Sequence, residues 1–338
     1  MDPVDRIIVA NSPATASHLL IIDAPALVAP ALERVERISV WCDDIRDARQ
    51  IPPELLVDRL EPHTLAGVDV VWLRLPQALG ALDEYAGLIA RHASADVQLV
   101  AAAREKHLNR SMNTTLARYF DDVAASLGQQ KSRALLARQP VRPPAMEDDW
   151  PRHKSVTVGG HEIKMHWHGA TFAAGRIDAG TQLLIDHLDR VADADHYLDF
   201  GSGSGLLATL LALAHPDASV DAVDTSRAAA SATSHTATGT QVRAHWAADL
   251  ADWPAGSLDV IVCNPPFHRG TAKDSGPAFT IFREASVALA EGGEFWCVYN
   301  SHLPWRAHLA RVIGPTTLVA QNRHYTLTRS VKDNVSKR

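Results

Sequence analysis

The sequence predicts an α/β protein of two tandem domains, each a mostly parallel sheet with helices on both faces, the first a degenerate copy of the second. Three observations carry this. Short apolar strands alternate with helical stretches along the chain, the pattern of parallel strands joined by crossover helices. A length of 338 residues is about two domains of ordinary size, and a hydrophobic fraction of 46% is ample for two buried sheets. The strands of the first half also answer those of the second one by one, without their polar residues.

In chain order, Leu19–Asp23 resembles the strand at His196–Asp199, and Ser39–Asp43 resembles Val220–Asp224. Val68–Pro76 matches Leu258–Pro266, Asp96–Ala101 answers Gly293–Val298, and Thr114–Leu127 answers a helix at Trp305–Ile313. Ala24-Pro25-Ala26 replaces a glycine-rich loop of the second half, and Arg74-Leu75 stands where that half has Asn264-Pro265. The alternative is two unrelated α/β domains whose apolar strands coincide. The first domain is expected over residues 1–138. The run Gln139-Pro-Val-Arg-Pro-Pro144 opens a stiff linker over 139–149, and the second domain follows over 150–338. Ser155–Val158, a turn at Gly159-Gly160 and His161–His168 read as a hairpin leading toward the site.

The polar residues of the second half come at strand ends. A strand at His196–Phe200 runs through Asp199-Phe-Gly-Ser-Gly-Ser-Gly205 into an apolar helix at Leu206–Ala214. Gly201, Gly203 and Gly205 permit turns a side chain would obstruct and let a ligand lie against the backbone. The spacing is not the G-x-G-x-x-G of dinucleotide enzymes. The next strand, Ser219–Val223, ends at Asp224, where an acid can bond both ribose hydroxyls of an adenosine. Asp249 falls where a third strand should end, in reach of an adenine amino group. Then comes Leu258–Cys263 and the tetrapeptide Asn264-Pro265-Pro266-Phe267. The Asn264 side-chain oxygen and the Pro265 carbonyl can both accept hydrogen bonds from an exocyclic NH2, localising and aiming its lone pair. Pro265 and Pro266 fix φ, and Phe267 offers a face for a flat base. Guanine, adenine and cytosine amines all qualify on those grounds.

Glycine loop, ribose acid, adenine acid and Asn-Pro-Pro-Phe stand in the order of a class I S-adenosylmethionine-dependent methyltransferase, so the fold expected is two tandem class I methyltransferase-like (Rossmann-like) domains. Residues 150–332 resemble more closely the guanine-N2 methyltransferases of ribosomal RNA. The matching residues are Phe172-x5-Asp178-x-Gly180, Asp199–Gly205, Val223-Asp224 and Asn264-Pro-Pro-Phe-His268, with Asn322–Lys332 like the family's final strand. The resemblance implies that Phe172, Asp178 and Gly180 cover the methionine side of S-adenosylmethionine and that a silent first copy holds RNA. It implies methylation of a guanine N2 in 16S or 23S rRNA, the base flipped out of its RNA context. Asn113–Ala137 leans toward the large-subunit enzymes. Two rivals stay open: a protein glutamine-N5 methyltransferase, which shares an Asn-Pro-Pro tetrapeptide but commonly carries Tyr in place of Phe267, and a non-enzymatic RNA-binding or assembly protein with a vestigial site.

A net charge of −6 is not that of a protein coating nucleic acid, but the charge is unevenly spread. Residues 100–142 carry +5 and residues 300–338 carry +6, at equivalent ends of the two copies. Arg104, Lys106, Arg110, Lys131, Arg133 and Arg323 are the candidate phosphate contacts, and His107–Thr115 a candidate RNA loop. The three cysteines, Cys42, Cys263 and Cys297, lie in expected strands and suit reduced, buried thiols of a cytoplasmic protein. No zinc spacing occurs. His166 and His168, on one face of an expected strand with His161 nearby, read as surface histidines rather than metal ligands. No apolar run reaches the length of a membrane span, and the start lacks a secretory signal. The expected partner is ribosomal RNA or a ribosomal subunit, with no metal and no membrane, and the expected state a monomer.

Overall fold

The structure, a computed structural model, describes residues 1–35, 37–141, 150–265 and 275–333. It divides into two compact units: Met1–Trp150 with His168–Ala170, and Pro151–Trp167 with Thr171–Arg338.

The first unit opens on α1 (Pro3–Ala10), whose start is dictated by Asp2 and Pro3: the Asp2 carboxylate accepts from Val4 N, and proline is at home in the first helical turn. Its strands are β1 (Leu19–Ile22), β2 (Ile38–Trp41), β3 (Val70–Arg74), β4 (Gln98–Arg104), β5 (Phe120–Ala125) and β6 (Ser132–Pro140). Its remaining helices are α2 (Val28–Leu32), α3 (Ile45–Ala48), α4 (Pro62–Leu65), α5 (Leu79–His92) and α6 (Arg110–Leu116). The sheet order is β2-β1-β3-β4-β6-β5, with parallel pairing as far as β4 and β6 alone running against the other strands. The segment expected as a helix over Thr114–Leu127 is helical only to Leu116. Phe120–Ala125 is an edge strand, because the chain reverses after Ala117 and pairs antiparallel with β6. Gln139 and Pro140, expected to open the linker, complete β6, and Pro140 pairs with Phe120 of β5. His168 leaves the expected strand. Its Nδ1 lies 2.7 Å from Glu84 Oε1, while Gly169 N donates to Glu84 Oε2 at 2.7 Å.

The second unit begins with an antiparallel hairpin, β7 (Arg152–Val158) and β8 (His161–Trp167), reversed at Gly159-Gly160, both at positive φ. Its sheet comprises β9 (His196–Phe200), β10 (Ser219–Asp224), β11 (Val242–Trp246), β12 (Leu258–Cys263), β13 (Leu289–Asn300), β14 (Thr316–Gln321) and β15 (Tyr325–Val331). The helices are α7 (Ala179–Ile185), α8 (Leu206–Ala214), α9 (Arg227–Thr236), α10 (Gly276–Ala288) and α11 (Trp305–Val312). The order β11-β10-β9-β12-β13-β15-β14 is the first unit's order with one strand added at an edge. The first unit keeps a trace of that strand: Val40 bridges Leu56 in parallel beside β2. Parallel strands buried on both faces read as continuous apolar runs, as β1 and β12 do, with the cores packed on either side.

Candidate active site

In an open α/β sheet, ligands bind outside the carboxyl ends of the strands where the order reverses. Register places the motif residues there. Phe200 of β9 is level with Val223 of β10 and Cys263 of β12, so the next residues, Gly201, Asp224 and Asn264, stand side by side. Trp246, at the end of β11, is level with Asp224. Four separated stretches of sequence thus meet at one edge.

The loop is shaped by three glycines in the left-handed region: Gly201 at φ +84, Gly203 at +56 and Gly205 at +77. Asp224 fixes it, accepting from Gly203 N at 3.0 Å with one oxygen and from Ser226 N at 2.9 Å with the other. The glycines serve different ends. Among the described residues a Cβ on Gly201 would meet nothing within 4 Å, and one on Gly203 only Phe172 Cβ at 3.9 Å. A Cβ on Gly205 would lie 2.7 Å from Thr233 Cα, so Gly205 admits α9 against α8. The open face at Gly201 and Gly203 belongs to a cavity lined also by Phe172, Asp178, Thr181 and Asn264. Phe172 is 59% exposed there and offers its ring to the cavity.

Asn264 has the most informative surroundings. Its Nδ2 donates to Thr181 Oγ1 at 2.9 Å and to Asp178 Oδ2 at 3.2 Å. The carboxylate can only accept, so the amide nitrogen must face it and the oxygen must point the other way. That oxygen, Oδ1, is buried and has no hydrogen-bond partner among the described residues. Pro265 beside it is buried. Pro266, Phe267 and His268 lie outside the described residues. Asp178 also accepts from Gly180 N at 2.9 Å and Thr181 N at 3.3 Å, capping α7.

Below the loop, Asp199 is fully buried. One oxygen accepts from Ala208 N at 3.2 Å, and the other has no partner among the described residues. Burial, with the nearby Asp224 charge, pushes its carboxyl up to about 7. Burial also drives the Cys263 thiol well above its usual range, abetted by Cys297, Asp199 and Asp224, so it stays a protonated thiol beside Asn264. All three cysteines are buried, Cys42 just past the end of β2 rather than within it.

Other expected residues fall elsewhere. Gly180 packs under Tyr325, where a Cβ would sit 3.0 Å from the ring. Asp249 lies three residues beyond β11 and caps a turn through Ala251 N, with Glu284 near enough for its carboxyl to be raised by burial and then by the Asp249 charge. Sequence reasoning missed Thr181, and missed the Arg227 guanidinium stacked 3.7 Å over Trp246 at the same strand edge. His166 is buried rather than exposed. Among the described residues no group of three His, Cys, Asp or Glu is placed to hold a metal ion. A larger cavity, about 710 Å³, opens at the opposite ends of the strands. Asp193, Asp195, Asp217, Asp259, Glu291 and Glu294 line it, a surface that repels phosphate.

In the first unit the equivalent positions are filled by the protein itself. Ile22 is level with Leu73 and Trp41, so Asp23 stands where Gly201 does and Arg74 where Asn264 does. Arg74 is bound to the buried Asp5 of α1 at 2.7 Å. Asp23 sits at φ +53, accepts from Asp43 N at 2.8 Å, and is raised to about 7 by burial and the carboxylates of Asp43, Asp47 and Asp44. Of the candidate RNA contacts in this unit, Arg104 binds Asp2 at 3.2 Å and Arg133 binds Glu105 at 3.1 Å. Lys106, Arg110 and Lys131 are exposed. In the second unit, Arg323 is exposed in the turn between β14 and β15.

Comparisons with known proteins agree with this layout. Residues 162–329 match the model of the methyltransferase small domain, and residues 52–141 that of the RLMG N-terminal domain. A ribosomal RNA large subunit methyltransferase G of Pseudomonas fluorescens is 33% identical over 336 residues, 95% of this chain and 89% of that one. Its counterpart in Ectopseudomonas mendocina is 34% identical over 277 residues, 78% of this chain and 71% of that one. Among solved structures, a T. thermophilus 16S rRNA N2 methyltransferase (RsmC), in complex with AdoMet and guanosine, superposes with a TM-score of 0.82 at 22% identity, covering 98% of this chain and 92% of that one. At that identity the likeness speaks for the fold.

Proposed function

The chain belongs to the ribosomal RNA large subunit methyltransferase G family, and on that premise we propose that it transfers a methyl group from S-adenosylmethionine to the N2 amine of a guanine in 23S rRNA. The observation that carries the reading is the Asn264 Oδ1 atom, a buried acceptor without a partner among the described residues, turned away from Asp178 and Thr181. An unpaired buried acceptor costs about 1–3 kcal/mol, which is recovered when a donor arrives. The exocyclic amine of a flipped base is such a donor.

The site residues fit the cofactor. Among the described residues the face of Gly201 that a Cβ would fill is open, and Asp199 keeps an unpartnered buried oxygen. Gly201 and Gly203 would support the chain of the molecule, Asp224 the ribose, and Phe172 and Asp178 the methionine end. Asp249, close to the same edge, is assigned to the adenine. When bound, S-adenosylmethionine supplies a methyl carbon made electrophilic by a cationic sulfur, so no strong base is needed before attack. Asn264 Oδ1 and the Pro265 carbonyl would hold the two amine protons and turn the nitrogen lone pair toward that carbon. Pro266 and Phe267 complete the assigned tetrapeptide, Phe267 as the stacking face. The proton leaves the nitrogen after transfer, through solvent or His268.

The first unit, residues 1–138, would bind RNA, its former cofactor edge sealed by Asp23 and by the Arg74–Asp5 pair. Lys106, Arg110 and Lys131, with Arg104, Arg133 and Arg323, are the proposed phosphate contacts. No helix among the described residues is long and apolar enough to cross a membrane. We place the enzyme in the cytoplasm, as a monomer, with rRNA or a ribosomal subunit as partner. Asn264→Ala tests the reading: cofactor affinity by calorimetry should stay within about twofold while turnover falls at least about a hundredfold, as for loss of a charge-positioning group. Wild-type turnover in this variant would refute it.

A further inference from the structure

We propose that Thr181, acting with Asp178, is a positioning residue for methyl transfer: the first turn of α7 sets which way the Asn264 amide faces. The inference rests on the role given to Asn264 above. A side-chain amide has two orientations of nearly equal shape, related by exchange of oxygen and nitrogen. Only one presents an acceptor to an incoming NH2. The other presents a second NH2, which repels it and cannot localise its lone pair.

The choice is made by groups on another element. Asp178 Oδ2 is pinned by Gly180 N at 2.9 Å and Thr181 N at 3.3 Å before it receives Asn264 Nδ2 at 3.2 Å. Being acceptor-only, it excludes the flipped amide. The Thr181 hydroxyl can donate or accept, so it does not choose a face. At 2.9 Å it makes the shorter bond, closes a triangle with Asp178 and holds the amide plane. Gly180 is part of the device: a Cβ there would come within 3.0 Å of both Asp178 Oδ2 and Tyr325 Cε1 and displace the carboxylate. The spacing Asp178-x-Gly180-Thr181 therefore has a physical reason apart from cofactor contact. One carboxylate caps a helix and orients an amide 86 residues away in sequence. Arg74 at the equivalent point of the first unit needs no such support and has an ion pair instead.

The test is a double-mutant cycle on the full chain, measuring single-turnover methylation of large-subunit rRNA with labelled S-adenosylmethionine, and cofactor affinity by calorimetry. Thr181→Val should lower the rate about tenfold with cofactor affinity and RNA KM within about twofold, the pattern of lost orientation rather than lost binding. Thr181→Ser, which keeps the oxygen, should restore most of the rate. In the Asn264→Ala background Thr181→Val should cost nothing further, since it acts only through that amide. An equal loss in both backgrounds, or a Thr181→Ser variant as slow as Thr181→Val, would overturn the proposal while leaving the role of Asn264 intact. Wild-type turnover in Asn264→Ala itself would overturn both.

Discussion

Gly201→Ala and Gly205→Ala should fail in opposite ways. Both residues sit in the left-handed region, where a β-carbon costs roughly 1–2 kcal/mol. At Gly205 the new carbon lies 2.7 Å from Thr233 Cα and 2.9 Å from its Cγ2. The obstacle is helix backbone that cannot swing aside, so overpacking adds about 1–3 kcal/mol. The total, roughly 2–5 kcal/mol, lowers the second unit's melting temperature by about 4–20 °C at 2–4 °C per kcal/mol. At Gly201 none of the described residues stands within 4 Å of the new carbon, so only the backbone cost applies and the shift stays within about 2–8 °C. That carbon points into the cavity, and S-adenosylmethionine affinity should fall at least about tenfold, since a well-fitted pocket has no room for an added methyl. Thermal unfolding and calorimetry on the two variants read both quantities. Native cofactor affinity in Gly201→Ala, or equal destabilisation by the two substitutions, would refute the assignment of one glycine to ligand and the other to packing.

Asp23→Asn should stabilise the first unit at neutral pH. The carboxyl is raised from 3.8 to about 7, so the folded state holds its proton more tightly than the unfolded. Its contribution is full below about pH 4 and is lost as pH rises toward 7. The asparagine, which tolerates positive φ and keeps the bond to Asp43 N, should gain on the order of 1–3 kcal/mol at pH 8 and nearly nothing at pH 4. A gain independent of pH would contradict this. Reversing Lys106, Arg110 and Lys131 to Glu should weaken rRNA binding and flatten its salt dependence, with cofactor affinity unchanged. Arg104 is left alone because it supports Asp2 at the start of α1. Unaltered RNA affinity in this variant would remove the first unit from the RNA interface.

The strand-end motifs were readable because each stands at the end of an apolar run, where a polar residue breaks the pattern abruptly. Asp224 and Asn264 therefore fell at the expected edge. The repeat was readable too, since strands buried on both faces keep their apolar pattern after the chemistry is lost. The helix predicted through Leu127 failed because Phe120–Ala125 carries alanines and acids that suit either state, and pairing with β6 decided it. Helix α1 was signalled by Asp2-Pro3 and overlooked. Thr181 and the Asp5–Arg74 pair were not legible: a hydroxyl 83 residues before its partner and an acid 69 residues before its arginine leave no local pattern. Asp249 stands three residues past the end of β11 rather than at it, because periodicity does not register where that strand stops.

The pocket is assigned the delivery of a methyl group to guanine N2. The most direct measurement incubates the enzyme with labelled S-adenosylmethionine and 23S rRNA or large subunits, digests the RNA and identifies the modified nucleoside by mass spectrometry. The account predicts N2-methylguanosine, and its absence with the Asn264→Ala enzyme. Recovery of N6-methyladenosine would contradict the choice of base, and label in a glutamine of a protein would contradict RNA as the substrate.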